Sequence, residues 1–363
     1  MSLVGIYLGA NSQSVSNIHD VLETWVNGLV LAGYDVELLG GDELPPLARE
    51  NATIRPVSDG QTPTPFGKIA DSYRHVSRYA SEYDPDLLIQ LWKYQTHALG
   101  VTLAGTRHCV PTVVRFTGDV FNEYNGSEFP RSAGIYVLDN IVGSVPVMIA
   151  DSVVSLGPTL SGSIRTRGVD STDIYVLPPP RPDDGRFFPA TNVDAVRDEL
   201  GLDSDRPIAL YVGRLSAQKG MDFFEQVIKR VTARTDYQFV LVGDGPYREK
   251  FQDKFSDENV VIPGYVSPDR IGKYYRAATV YVHPSRFEGV PLVILEALQS
   301  SVPVVARNAG DIGFVVEETV ETVDRMVEQL IERDWNETWL NEALFDPTYQ
   351  RETIARIVEN AIR

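Results

Sequence analysis

Positions 286–307 read RFEGVPLVILEALQSSVPVVAR, an apolar stretch carrying two carboxylates, Glu288 and Glu296, with seven residues between them. A buried, unpaired carboxylate is costly enough that the group neutralises or finds donors. An ionised carboxylate only accepts hydrogen bonds, so each of these could hold the paired hydroxyls of a polyol. Upstream, YVGRLSAQKG at 211–220 sets Gly213, Arg214 and Lys219 between an apolar run and a helical pattern. A glycine there lets backbone amides approach an anion, while a planar Arg and a reaching Lys neutralise two phosphates. VGDGP at 242–246 places Gly243 and Gly245 in a tight turn, and beyond Gly264 the backbone of Tyr265 and Val266 could meet a flat base edge. Gly289 and Val290 precede the helical pattern PLVILEALQSS, whose Pro291 fits the first helical position and whose start offers amides and a positive dipole end. Glu296, five residues on, lies about one and a half turns into that helix. Plainer alternatives are a surface turn with two ordinary cations at 211–220, a structural turn at 242–246, and a solvated helix position for Glu296. The apolar setting VILEAL weighs against the last.

The elements that must position these residues are legible as an alternation. LVGIYLGA at 3–10 is a short continuous apolar run, as in a strand buried on both faces, and is followed by an Asn- and Ser-rich loop and a helical pattern ending near Gly33. VELLG, DLLIQLW, TVVRFTG, SVVSLGP and DIYVLPPP continue the series. The proline-rich PPPRPDDGRFFP at 178–189 is too stiff to join a sheet interior and reads as a connection between domains. The alternation then restarts with PIALYVGRL, QFVLVGDGP, NVVIPGYV, TVYVHPS and VPVVAR, and ends in one helix from about 348. The expected fold class is α/β, two doubly wound Rossmann-like domains at 1–182 and 183–347 and a terminal helix at 348–363. Ligands of such sheets sit beyond the carboxyl ends of the strands, here expected in a cleft between the domains.

Composition narrows the partners. The formal charge is −17, and only seven of 33 basic residues are lysines, the acidic balance expected of a protein kept soluble in high salt. Such a chain is a poor binder of nucleic acid, which demands a basic field. One cysteine, Cys109, leaves no internal disulfide and no cysteine zinc site. No apolar run approaches the roughly 20 residues of a membrane span, and MSLVGIYLGANS has no basic leader pattern. A cytoplasmic location is expected. FGKIADSYRHVSRY at 66–79 mixes basic and aromatic residues, which could touch a membrane surface or a lipid-linked acceptor; a solvated helix face is the plainer reading. DPD at 84–86 and DSD at 203–205 precede strands and read as turns, and the five histidines show no metal spacing. Sequons at Asn51, Asn125 and Asn336 carry little weight in a cytoplasmic chain.

The run EGVPLVILE followed by VPVVA closely resembles the motif of retaining glycosyltransferases of the GT-B fold, glycosyl transferases group 1 (family 4). GRLSAQKG, LVGDGP, IPGYVSPDRIGKYYRAATVYVHPS and PPPRPDDGRFFP resemble successive signatures of that family, specifically in the C-terminal half and loosely in the N-terminal half. The resemblance implies that Arg214 and Lys219 bind a donor diphosphate, with Glu288 on the donor sugar and Glu296 on the ribose. It implies further that Gly289 to Pro291 give amides to the phosphates, that the backbone near Tyr265 reads the base, and that Gly9 approaches donor or acceptor. The donor would be a nucleoside diphosphate sugar, with no cofactor and no metal, and the acceptor a saccharide or lipid-linked saccharide met by the N-terminal domain. Two departures stand out. RFTGDVFNEY replaces a family histidine and puts Asp119 nearest its place, as base, sugar contact or turn stabiliser. RNAGDIGFVV after VPVVA is shorter than usual and lacks the downstream glutamate. Alternatives are a GT-B nucleotide-sugar epimerase, or a catalytically silent GT-B subunit partnering another transferase.

Overall fold

Short β-branched and apolar runs separated by amphipathic stretches favour parallel strands covered by helices on both faces. The computed structural model has this pattern; it describes residues 2–9, 16–41, 44, 46–57, 64–126, 130–182, 185–255, 259–333, 335 and 342–363. Most of the Asn- and Ser-rich loop and the sequon at Asn336 lie outside the described residues. Two compact units emerge, 1–180 with 342–363, and 181–341. The second boundary falls six residues earlier than the expected break at 347/348, because the turn Glu342–Phe345, with Phe345 buried, already packs on the final helix.

In the first unit β1 (Leu3–Gly9), β2 (Asp35–Gly40), β3 (Thr53–Pro56), β4 (Leu87–Gln90), β5 (Thr112–Arg115), β6 (Ser152–Ser155) and β7 (Ile174–Val176) form a parallel sheet in the order β3-β2-β1-β4-β5-β6-β7. β3 is absent from the sequence expectation; it is a four-residue edge strand ending in a proline, tolerated only at an edge. The helix Pro347–Ile362 starts at Asp346, whose carboxylate accepts the amides of Thr348 and Tyr349 at 2.8 and 3.0 Å. It buries Ile354, Ile357, Val358 and Ala361 in the same core as Trp25 and Leu29 of helix Ser16–Leu31. Ile354, Ile357 and Val358 each contribute about 1.5–3 kcal/mol when fully buried, so the C-terminal segment is integral to the N-terminal unit.

In the second unit β8 (Ile208–Val212), β9 (Gln238–Val242), β10 (Val260–Gly264), β11 (Val280–His283), β12 (Val304–Arg307) and β13 (Thr319–Val320) pair in parallel, in the order β10-β9-β8-β11-β12-β13. The two-residue β13 is too short to announce itself in the sequence. Each sheet reverses its strand order once, between β1 and β4 and between β8 and β11. Loops leaving the carboxyl ends there diverge, and that is where ligands of open α/β sheets bind.

A count of continuous apolar runs passes over one stretch. Ser132–Ile149 is a helical stretch of 18 residues that is long and apolar enough to cross a bilayer by length and composition, and 22 % of it is buried. Asp139, Gly143 and Pro146 interrupt the apolar run and hide it from a simple count. It is built from Arg131–Tyr136, a π-helical turn Val137–Val142 and Ser144–Ile149, with Asp139, Pro146 and Val147 inward and Val137, Ile141, Val145 and Met148 outward. By contrast, the basic and aromatic 66–79 segment lies in helix Pro65–Tyr83, which turns Ile69, Val76 and Tyr79 into the core and leaves Phe66 exposed.

Candidate active site

Tyr281 and His283 alternate along β11, so both side chains leave the same face of the strand. The loop that follows returns Glu288 to them. Its Oε1 takes the Lys219 ammonium at 2.5 Å and the His283 Nε2 at 3.2 Å. Because an ionised carboxylate only accepts, Nε2 carries a proton towards it. On its other side His283 Nδ1 meets the Tyr281 hydroxyl at 3.2 Å, and that hydroxyl lies 3.3 Å from the Val212 carbonyl at the end of β8. Burial pushes the Glu288 carboxyl up, but His283 and Lys219 together outweigh it and hold the group down at about 2. Glu288 is therefore a largely buried carboxylate, its side chain 12 % exposed, kept ionised by two partners. Nothing in the sequence paired it with His283 beyond the alternation of Tyr281 and His283.

Glu296 lies on helix Leu292–Gln299 and accepts from the Tyr275 hydroxyl at 2.7 Å. Tyr275 and Tyr281 are fully buried, and burial first, then Glu296, drives the Tyr275 phenol well above its ordinary range. Tyr281 feels both Glu288 and Glu296, so the two carboxylates flank one buried tyrosine cluster. A solvated helix position is excluded for Glu296.

The backbone differs in detail from expectation. Pro291 is the residue before the helix, with φ −74° and ψ 126°, not its first turn, and its carbonyl accepts from the Ile294 amide at 3.1 Å. Proline has no amide hydrogen, so the donors expected of 289–291 are those of Gly289 and Val290, with Leu292 and Val293 at the helix start. The amides of Gly213 and Gly243 are likewise spent, on the carbonyls of Val242 and Gly264 at 3.0 and 2.9 Å. These glycines bring strand ends together instead of donating to a ligand. The shortened loop after β12 has a definite task. Gly310, at φ +56°, lies so close to Glu288 that an added Cβ would stand 1.7 Å from its carbonyl oxygen, and the Asp311 amide reaches the Gly289 carbonyl at 3.3 Å.

Arg214 follows β8 with an exposed side chain, and the Tyr211 hydroxyl donates to its carbonyl at 2.9 Å; no contact among the described residues joins its guanidinium to Glu288. Tyr265 is 76 % exposed just past β10. Gly9 and Asp119 belong to the first unit, where Gly9 ends β1 against the His97 imidazole. Asp119 takes the Asn122 side-chain amide at 2.7 Å and, through its carbonyl, the Asn122 N–H at 3.3 Å, which ties it to the turn Val120–Gly126. Among the described residues no three His, Cys, Asp or Glu side chains are grouped as a metal site. Asp86 instead accepts the Leu3 amide, and Asp203 that of Asp205.

Residues 206–336 match the family model of Glycosyl transferases group 1. Over 176 residues the chain is 28 % identical to the sulfoquinovosyl transferase of Arabidopsis thaliana, covering 48 % of this chain and 31 % of that protein. It is 35 % identical over 128 residues to the alpha-D-kanosaminyltransferase of Streptomyces kanamyceticus, 34 % of this chain and 33 % of that one. The matched segment thus spans about a third of the length of these relatives. The whole chain superposes on the sucrose-phosphate synthase of Thermosynechococcus elongatus with a TM-score of 0.68 at 18 % identity, covering 100 % of this chain and 94 % of that one. It superposes on Anabaena HepE, solved with UDP and glucose, with a TM-score of 0.65 at 15 % identity, covering 99 % and 95 %.

Proposed function

From a chain that has the GT-B fold throughout and whose segment 206–336 matches the model of glycosyl transferases group 1, we propose that it is a retaining glycosyltransferase. It would move a sugar from a nucleoside diphosphate sugar to a saccharide or lipid-linked acceptor. The observation that carries the reading is Glu288, held ionised between Lys219 and His283 where the second sheet reverses its strand order. An ammonium has three N–H groups, and Glu288 uses one, so Lys219 can bridge the carboxylate and a donor phosphate. Arg214 from the same loop and the amides of Gly289, Val290 and Leu292 add donors around the diphosphate. Glu288 would accept from hydroxyls of the transferred sugar. Glu296, braced by Tyr275, would accept from the ribose pair.

In the reaction the bond from the anomeric carbon to the phosphate oxygen breaks, and its electron pair leaves with the diphosphate. The acceptor oxygen bonds to that carbon from the same face, and its proton passes to the departing phosphate oxygen. Charge grows on the diphosphate, where Lys219, Arg214 and the helix start stabilise it; this is the principal catalytic lever of the site, and we read the reaction as metal-independent because these groups supply the positive charge. Proton NMR of products formed from UDP-, GDP- and ADP-sugars with a saccharide acceptor tests the proposal. Expected is nucleoside diphosphate release with a product of the donor's anomeric configuration; an inverted product, or epimerised nucleotide sugar, would sink it.

A further inference from the structure

The carboxyl edge of the first sheet holds a set of donors that the donor-sugar site does not use. Arg115 ends β5 and is only 5 % exposed. It stands two residues beyond Val113, on the sheet face buried by the core that includes Trp25 and Ile354. Its own amide takes the Gln90 side-chain oxygen at 3.1 Å, but among the described residues nothing accepts from its guanidinium, whose Nε is wholly shielded. The contrast with Arg197 is instructive. That guanidinium, also buried, is spent on the carbonyls of Ala277, Ser204 and Arg206 and on the Thr279 hydroxyl. Beside it, Trp92 packs its ring on the same core as Val113, and its shielded indole Nε1 meets no acceptor among the described residues. Gln90 of β4 pairs with Val114 of β5, so Trp92 and Arg115 leave neighbouring strands at one edge.

A buried guanidinium with no counter-charge is destabilising, so a chain that keeps one at the carboxyl edge of its sheet retains it against stability. Burial brings the Arg115 guanidinium down to about 10, still cationic at neutral pH. Two of the chain's seven lysines, Lys68 and Lys93, act on His97 at this same edge and, after burial itself, depress its imidazole. In a molecule of net charge −17 this is a local positive field, the condition for receiving an anion.

We propose that Arg115, beside Trp92, is the receiving group for an oxyanion, a phosphate or a carboxylate, carried by the acceptor. The two terminal nitrogens of its planar guanidinium, which are not among the shielded atoms, match both groups in a two-point fork. The proposal rests on the glycosyltransferase reading and names the acceptor class for it.

The test is calorimetric titration of the full chain with mannose 6-phosphate, glucuronate and methyl α-glucoside, in the wild type, Arg115→Met and Arg115→Lys, alongside UDP, GDP and ADP. Expected is binding of one or both anionic sugars and not of the neutral one, weakened roughly a hundredfold in Arg115→Met and partly restored in Arg115→Lys, with nucleotide affinity unchanged in both. Preference for the phosphate or for the carboxylate identifies the source of the oxyanion. Because Arg115→Met removes an unpaired buried charge, its Tm is expected to equal or exceed that of the wild type. A lowered Tm with anionic sugar binding intact would make Arg115 structural and overturn the proposal, as would equal binding of the neutral sugar. Absence of nucleotide binding with Arg115-dependent anion binding preserved would count against the donor site while supporting this one.

Discussion

Lys219→Ala will lower the rate of sugar transfer by about a hundred- to a thousandfold while leaving the fold intact, the usual cost of removing one donor aimed at developing charge. Among the described residues the Lys219 ammonium and the His283 ring touch Glu288, and the Lys219 side chain is the more exposed of the two, at 29 %. On the proposed reading its loss removes a counter-charge to the leaving diphosphate, and it removes one of the two partners that keep Glu288 ionised. His283 remains at 3.2 Å, so Glu288 is not abandoned in an apolar site and stability should change little. Initial rates at saturating donor, with Tm measured in parallel, check this. A rate within tenfold of the wild type would place the catalytic charge elsewhere.

Gly310→Ala will cost both stability and donor binding. A methyl group there meets the Glu288 carbonyl oxygen at 1.7 Å, against backbone instead of a yielding side chain, so the loop carrying Glu288 must move. Forced overpacking of this kind costs about 1–3 kcal/mol, beyond the 1–2 kcal/mol or so of a non-glycine residue in the left-handed region. Gly33→Ala is the control, since Gly33 also has a positive φ, +88°, but faces open space. Thermal melts of the two variants should differ in the direction of greater loss for Gly310→Ala, which alone should lose nucleotide-sugar affinity. Equal losses in both would mean that the loop after β12 does not support Glu288.

Most strands were legible because parallel strands buried on both faces leave continuous apolar runs, and this was enough to place Arg214, Lys219 and Glu288 at strand ends. β3 and β13 were not legible: one is a four-residue edge strand ending in proline, the other has two residues. The roles of His283 and Tyr275 depend on which side chains meet across separate elements, and a linear spacing does not carry that information. The same holds for the amides of Gly213 and Gly243, whose acceptors sit on neighbouring strands. Pro291 is a different case, since its lack of an amide hydrogen is plain from its chemistry, and only its place just before the helix needed the structure. Arg115 read simply as part of an apolar strand; its burial without an acid, not its position in the run, is what singles it out.

On the proposed reading the loops after β8 and β11 bind the diphosphate of a nucleotide. Calorimetric titration of the chain in high potassium chloride with UDP, GDP and ADP, beside Arg214→Ala, tests it most directly. Arg214 is exposed, and no contact among the described residues depends on its guanidinium, so its removal should leave the fold unchanged. Expected are micromolar binding of one nucleotide and its weakening in the variant, roughly tenfold or more for a charge-assisted contact of about 1.5–3 kcal/mol. No binding of any of the three, or binding that Arg214→Ala leaves untouched, would contradict it.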